Sequence, residues 1–212
     1  MREPLQETRF PHRRLIATAF LLLLSLPAAA APLDASRLQE AAIKQTAYTK
    51  SYDGTYRSIP YPNGDVPKET GVCTDVVIRA YRSFGVDLQK LVHEDMKKNF
   101  PLYPKQWGLK KTDTNIDHRR VPNLQVFFTH HGKSLGVSDK VADYKAGDLV
   151  TWDLAYPQSP LPHIGIVTDK KSDDGLRPLI VHNIGRGATV DDILFGYKIT
   201  GHYRYTPEIQ VP

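Results

Sequence analysis

Cysteine is nearly missing from this chain: its 212 residues include one, Cys73, beside two methionines and two tryptophans. A single cysteine excludes an internal disulfide and leaves its thiol for packing or for chemistry. Long apolar runs are also missing. The longest, Leu15–Leu26 (LIATAFLLLLSL), has 12 residues, whereas crossing a bilayer takes roughly 20. Charge of one sign is scarce too: the formal net charge is +5. Removing Arg2, Arg9, Arg13 and Arg14 with Glu3 and Glu7 leaves about +3, too little to point to nucleic acid. With 41% apolar and 24% charged residues, 14 Gly and 16 Pro, the composition is that of a globular chain, not of disorder, collagen or coiled coil.

The first thirty residues read as a leader. Met1–Arg14 is basic, Leu15–Leu26 is apolar, and Pro27 is followed by four alanines, the pattern of a secretory signal peptide cut near Ala30. No cysteine follows it to take a lipid. The expected product is a periplasmic or secreted chain, 31–212, folded as one domain with no lasting membrane anchor.

Helical periods dominate the first half of that product. Asp34–Lys50 carries Leu38, Ala41, Ala42 and Ile43 at amphipathic spacing. Thr70–Phe84 (TGVCTDVVIRAYRSF) is expected to be capped by Thr70 or Gly71 and stopped at Gly85, with Cys73 in its first turn. Asp87–Asn99 forms another helix. Phe100–Pro122, with three prolines, reads as a long ordered loop, and Asn123–His131 as a short helix capped by Asn123. From Ala146 the period falls to two: AGDLVTWDL, HIGIVTD, PLIVHNIG and DDILFGYKITGHYRY are strand-like. Helices first and strands last make an α+β fold, helices packed on a C-terminal antiparallel sheet, with a helical and loop insertion at about 87–132.

Chemistry points to Cys73. A thiol at a helix N-terminus meets free amide N–H groups that favour its thiolate, so a lowered pKa is expected. A base must then come from elsewhere, and His163 and His182 sit inside apolar strands. If those strands pair so that residue numbers sum to 345, the two imidazoles face each other. A slip of one residue puts Asn183 there instead. Asp117-His118-Arg119-Arg120 offers two guanidinium forks, either as a substrate-carboxylate site or as a network that fixes the loop. A metal centre is not expected. His93-Glu94 lacks a second histidine at the H-E-x-x-H spacing, and His130 and His131 project about 100° apart. No cofactor is implied.

GVCTD at a helix start, then AGDLV, HIGIV and IVHN, resembles the NlpC/P60 superfamily of papain-like cell-wall peptidases. YPNGD, GVCTDVVIRAYR, DLQKLVHEDM, NIDHRRVPN and HNIG resemble, more closely, the family called domain of unknown function 1287. The resemblance implies a papain-like fold with Cys73 as nucleophile, His163 as general base and His182 as the polar residue that orients it. It also implies a tyrosine beside the nucleophile, matched to Tyr61, that helps bind an oxyanion. The implied activity is hydrolysis of amide bonds, with peptidoglycan stem peptides as partner. A non-catalytic peptide- or glycan-binding module and an acyl transferase remain alternatives.

Overall fold

The structure, a computed structural model, describes residues 30–210. Apart from Ala30, the expected leader lies outside these residues. In chain order the elements are β1 (Ala30–Pro32), α1 (Ala35–Ile43), β2 (Ser51–Tyr52), β3 (Thr70–Gly71), α2 (Cys73–Arg82), α3 (Leu88–Lys98), α4 (Val121–His131), β4 (Lys133–Ser134), β5 (Leu149–Asp153), β6 (Pro162–Lys171), β7 (Pro178–Asn183), β8 (Ala188–Asp191), β9 (Lys198–Arg204) and β10 (Glu208–Gln210). The fold is α+β. No described helix is long and apolar enough to cross a membrane.

Six strands form one antiparallel sheet in the order β4-β9-β5-β6-β7-β8. The period of two sorts its side chains into two cores. Ile164, Ile166, Leu149 and Val181 pack with Leu38 and Ala42 of α1 and Val76, Val77 and Ala80 of α2. Val150, Trp152, Val167 and Ile180 form a second cluster under Tyr144 and Leu194, and Trp152 Nε1 donates to the Leu194 carbonyl at 2.9 Å. Each fully buried aliphatic or aromatic side chain contributes ~1.5–3 kcal/mol.

Two helix starts differ from expectation. Thr70 and Gly71 are in strand β3, and Val72 precedes the first turn of α2. Valine offers no capping oxygen, so Asp75 reaches back and accepts from the Val72 N–H at 2.7 Å. Helix α4 begins at Val121 with Pro122 in its first turn, and Asn123 is buried, donating to the Asp117 carbonyl at 2.9 Å instead of capping. Gly85, at φ 78°, follows α2 where the chain takes a left-handed turn that glycine adopts without strain.

The β6–β7 register also differs. Ile166 pairs with Val181 and Val167 with Ile180, so the numbers sum to 347, and a bulge follows before Lys171 pairs with Pro178. A two-residue shift preserves the faces. His182 therefore stays on the face of His163 but stands across from Gly165. A Cβ on Gly165 would lie 2.5 Å from Ile180 Cγ2 and 3.2 Å from His182 Cβ, so this close approach requires glycine.

Candidate active site

Helix α2 brings Cys73 to the sheet. Its thiol is buried, and the backbone N–H of Ile164, the residue after His163, is directed at the sulfur with those of Thr74 and Cys73 itself. These donors favour a thiolate, but they do not win. Burial, reinforced by the charge of Asp75, pushes the thiol up to about 12, opposite to the lowered pKa expected from the helix start alone. Removing the sulfur from water outweighs three peptide dipoles. Among the described residues no hydrogen bond joins the sulfur to the His163 ring, and the resting pair is a neutral thiol and a neutral imidazole.

From the His163 ring runs a chain of polar contacts. His163 Nε2 lies 3.0 Å from His182 Nδ1, and His182 Nε2 lies 3.0 Å from Asp191 Oδ2 on β8. Burial pushes the Asp191 pKa up, but hydrogen bonds from Thr189 and Arg186 and the nearby His182 more than offset this and hold it below the usual range. Asp191 is thus a carboxylate, an acceptor only. His182 must then donate from Nε2, which leaves Nδ1 as its acceptor. His163 in turn donates from Nε2 and keeps the lone pair of Nδ1 unused. Burial, then the charge of His182, lowers the His163 pKa to about 3, so the ring rests neutral. A neutral imidazole of fixed tautomer with one free lone pair is what a general base requires.

Asn183, the alternative to His182, borders the same recess but spends its side chain on the backbone. Its amide donates to the Gly71 carbonyl at 2.8 Å and its oxygen accepts from Gly185 and Gly187, tying β7 to the strand ahead of Cys73.

The tyrosine beside the site is Tyr52, not Tyr61. The pairing of β2 with β3 sets Tyr52 across from Gly71, two residues before Cys73. Burial raises its hydroxyl pKa, with nearness to Cys73 and then Asp75 acting in the same direction, so it stays a donor. Tyr52, Leu154, Leu161, His163, Asn183 and Ile184 line a recess of about 240 Å³. The Tyr61 ring instead stands edge-on to His93 at 5.3 Å, and His93 borders a wider groove of about 590 Å³ with Trp107, Lys110, Lys111 and Asp113.

The Asp117–Arg120 segment divides. Arg119 is 7% exposed and forks onto Asp75, Nε to Oδ1 and Nη2 to Oδ2, both at 2.9 Å. It is a brace beneath α2 and is not free to bind a carboxylate of a ligand. Thr74 adds to the brace by donating to the Arg119 carbonyl at 3.1 Å. Asp117 is buried, accepts from the Asp113 N–H at 2.6 Å and lies 3.3 Å from His93. His118 is buried, and its pKa falls to about 3 through burial first and then the charges of Arg119 and Arg82. Arg120 lies over the Trp107 ring, 4.4 Å from its centre. The structure therefore joins His163 to His182 and Asp191, sets the Ile164 N–H on the Cys73 sulfur, lines the recess with Tyr52 and His163, and gives Tyr61, Asp117, His118 and Arg120 other partners.

The pattern defining the family Domain of unknown function (DUF1287) matches residues 39–205. The chain is 54% identical over 168 residues to Uncharacterized protein YijF of Escherichia coli (strain K12), covering 79% of this chain and 80% of that protein. Among solved structures it is similar to the NlpC1 structure from Trichomonas vaginalis at 14% identity with a TM-score of 0.44, covering 82% of this chain and 46% of that one.

Proposed function

We propose, for this chain, which belongs to the DUF1287 family, that it is an exported cysteine hydrolase of amide bonds, acting on peptidoglycan stem peptides outside the cytoplasm. What supports the reading is the hydrogen-bonded line His163–His182–Asp191 together with the single cysteine of the sequence, whose sulfur meets the N–H of Ile164, the residue after His163. Neither thiol nor imidazole ionises readily alone. Moving one proton from Sγ to His163 Nδ1 creates no net charge, and the resulting ions attract each other strongly in a buried setting.

The thiolate then attacks the amide carbon. The oxyanion that forms is within the province of backbone N–H groups around Cys73 and of the protonated Tyr52 hydroxyl. His163 returns its proton to the leaving nitrogen as the C–N bond breaks, leaving a thioester on Cys73. Water attacks that thioester, giving a proton to His163, and the acid is released as Sγ is reprotonated.

One test is incubation of the purified chain without its leader with cell-wall fragments, products being weighed by mass spectrometry. New amines and acids are expected from the native chain, and no turnover from Cys73→Ala with an unchanged circular-dichroism spectrum. Equal turnover by the two overturns the reading, and products joined to an added amine identify a transferase instead. The thiol held at about 12 favours a second reading, a module that binds peptide or glycan in the Tyr52 recess without cutting it. In that case Cys73→Ala binds the fragments normally and neither form produces cleavage products.

A further inference from the structure

Away from the recess, one carboxylate gathers two imidazoles. Asp95, near the end of α3, is 7% exposed, and two consecutive residues of α4 converge on it. His130 Nδ1 lies 3.1 Å from Oδ2 and His131 Nε2 lies 3.0 Å from Oδ1. Their directions differ by about 100° around α4, which made a joint site unexpected. Because Asp95 is a third party lying between them, each ring reaches a different carboxylate oxygen.

The three donor atoms lie within 4.8 Å of one another. A tetrahedral zinc ion with bonds of about 2.0–2.2 Å needs donors roughly 3.3–3.5 Å apart, close to the 3.1 and 3.0 Å that the two rings keep from the carboxylate. The His130 and His131 side chains are 28% and 45% exposed, which admits a cation and leaves a coordination position open to water. Groups behind the donors hold them in place. Asn99 donates to Asp95 Oδ1 at 2.9 Å, Tyr103 donates to Oδ2, and the Phe127 ring lies tilted against the His131 ring with centres 4.7 Å apart. Such supporting contacts orient metal ligands in known sites.

We propose that Asp95, His130 and His131 bind a divalent transition-metal cation of the zinc class. Two imidazoles and one carboxylate favour Zn²⁺, Ni²⁺ or Cu²⁺ over Mg²⁺ and Ca²⁺, which take all-oxygen cages. The bound ion fastens the end of α3 to the end of α4, the two helices that flank the long Phe100–Arg120 segment. A purely hydrogen-bonded cluster would be indifferent to metal.

The test is calorimetric titration of the metal-free chain with Zn²⁺, with Co²⁺ absorption as a report of coordination geometry. One equivalent of Zn²⁺ is expected to bind, with no heat from Mg²⁺. Affinity is expected to fall about 10-fold or more in His131→Ala and in His130→Gln, as for loss of a metal-supporting group. Cys73→Ala is expected to bind as the native chain does, which separates this site from the thiol. Absence of Zn²⁺ binding at 100-fold excess overturns the proposal, as does binding that survives both histidine substitutions or disappears with Cys73.

Discussion

His163 and His182 meet at 3.0 Å although they occupy no paired position of the β6–β7 ladder; their rings stand at 87° to each other, each using one nitrogen. The diagonal contact leaves each ring one nitrogen: His182 spends its own on Asp191, and His163 Nδ1 keeps its lone pair.

Asp191→Asn reverses that direction. An asparagine amide donates to His182 Nε2, His182 then donates from Nδ1, and His163 is left with a proton on the nitrogen that must act as base. Turnover is expected to fall by roughly 10²–10⁴-fold, as when the orienting acid of a serine triad is made an amide. The thermal midpoint should move little. An activity within threefold of native would exclude the relay through β8.

Arg119→Ala leaves the buried Asp75 side chain, in the first turn of α2, without its guanidinium partner. Breaking one side of such a pair costs ~3–5 kcal/mol. Arg120→Ala, which removes a cation from the exposed Trp107 face, is expected to cost about 1 kcal/mol or less. Urea denaturation of both variants measures the contrast, and equal losses would contradict the assignment of Arg119 as the brace.

Acid should weaken the fold over a defined window. His118 and His163 take up protons near 6.5 when unfolded but remain neutral to about 3 when folded. Between those values the unfolded chain holds more protons, so stability is full above about pH 6.5 and is lost as pH falls toward 3. The unfolding midpoint measured from pH 7.5 to 4 is expected to drop steadily, and less steeply in His118→Asn. A flat profile would mean that these rings are already solvated.

Cys73 should alkylate slowly in the native chain. With the thiol at about 12, its thiolate is scarce at pH 7.5, and iodoacetamide is expected to react at least ~100-fold more slowly than with free cysteine. Urea should restore the ordinary rate. Native reaction as fast as free cysteine would show that the thiolate–imidazolium pair exists before substrate arrives.

The helices and most strands could be read from periodicity, because Leu88, Leu91 and Val92 recur at the helical period and Ile164 and Ile166 at the strand period. Cys73 and His163 stood out as the sole cysteine and an imidazole opening an apolar strand. The register did not, since the bulge between Val167 and Lys171 leaves no mark in composition. Tyr52 was missed because a two-residue parallel ladder is too short for any period, and Tyr61 matched the spacing of the resembled family. Asp191 had a usable signal. His182 pairs with Thr189 across the β7–β8 hairpin, so two residues further on Asp191 returns to the same face. Helix position is visible in sequence and depth of burial is not, so the raised pKa of Cys73 has no mark there.

Arg119 reaches α2 from the stretch that joins α3 to α4, so that stretch cannot be excised as a dispensable ornament. A pared-down chain of α2 and the sheet would carry an uncompensated anion two positions from the thiol. Chain engineering that lengthens, shortens or grafts this region has to preserve one guanidinium at one place, while the rest of its outer surface is open to change.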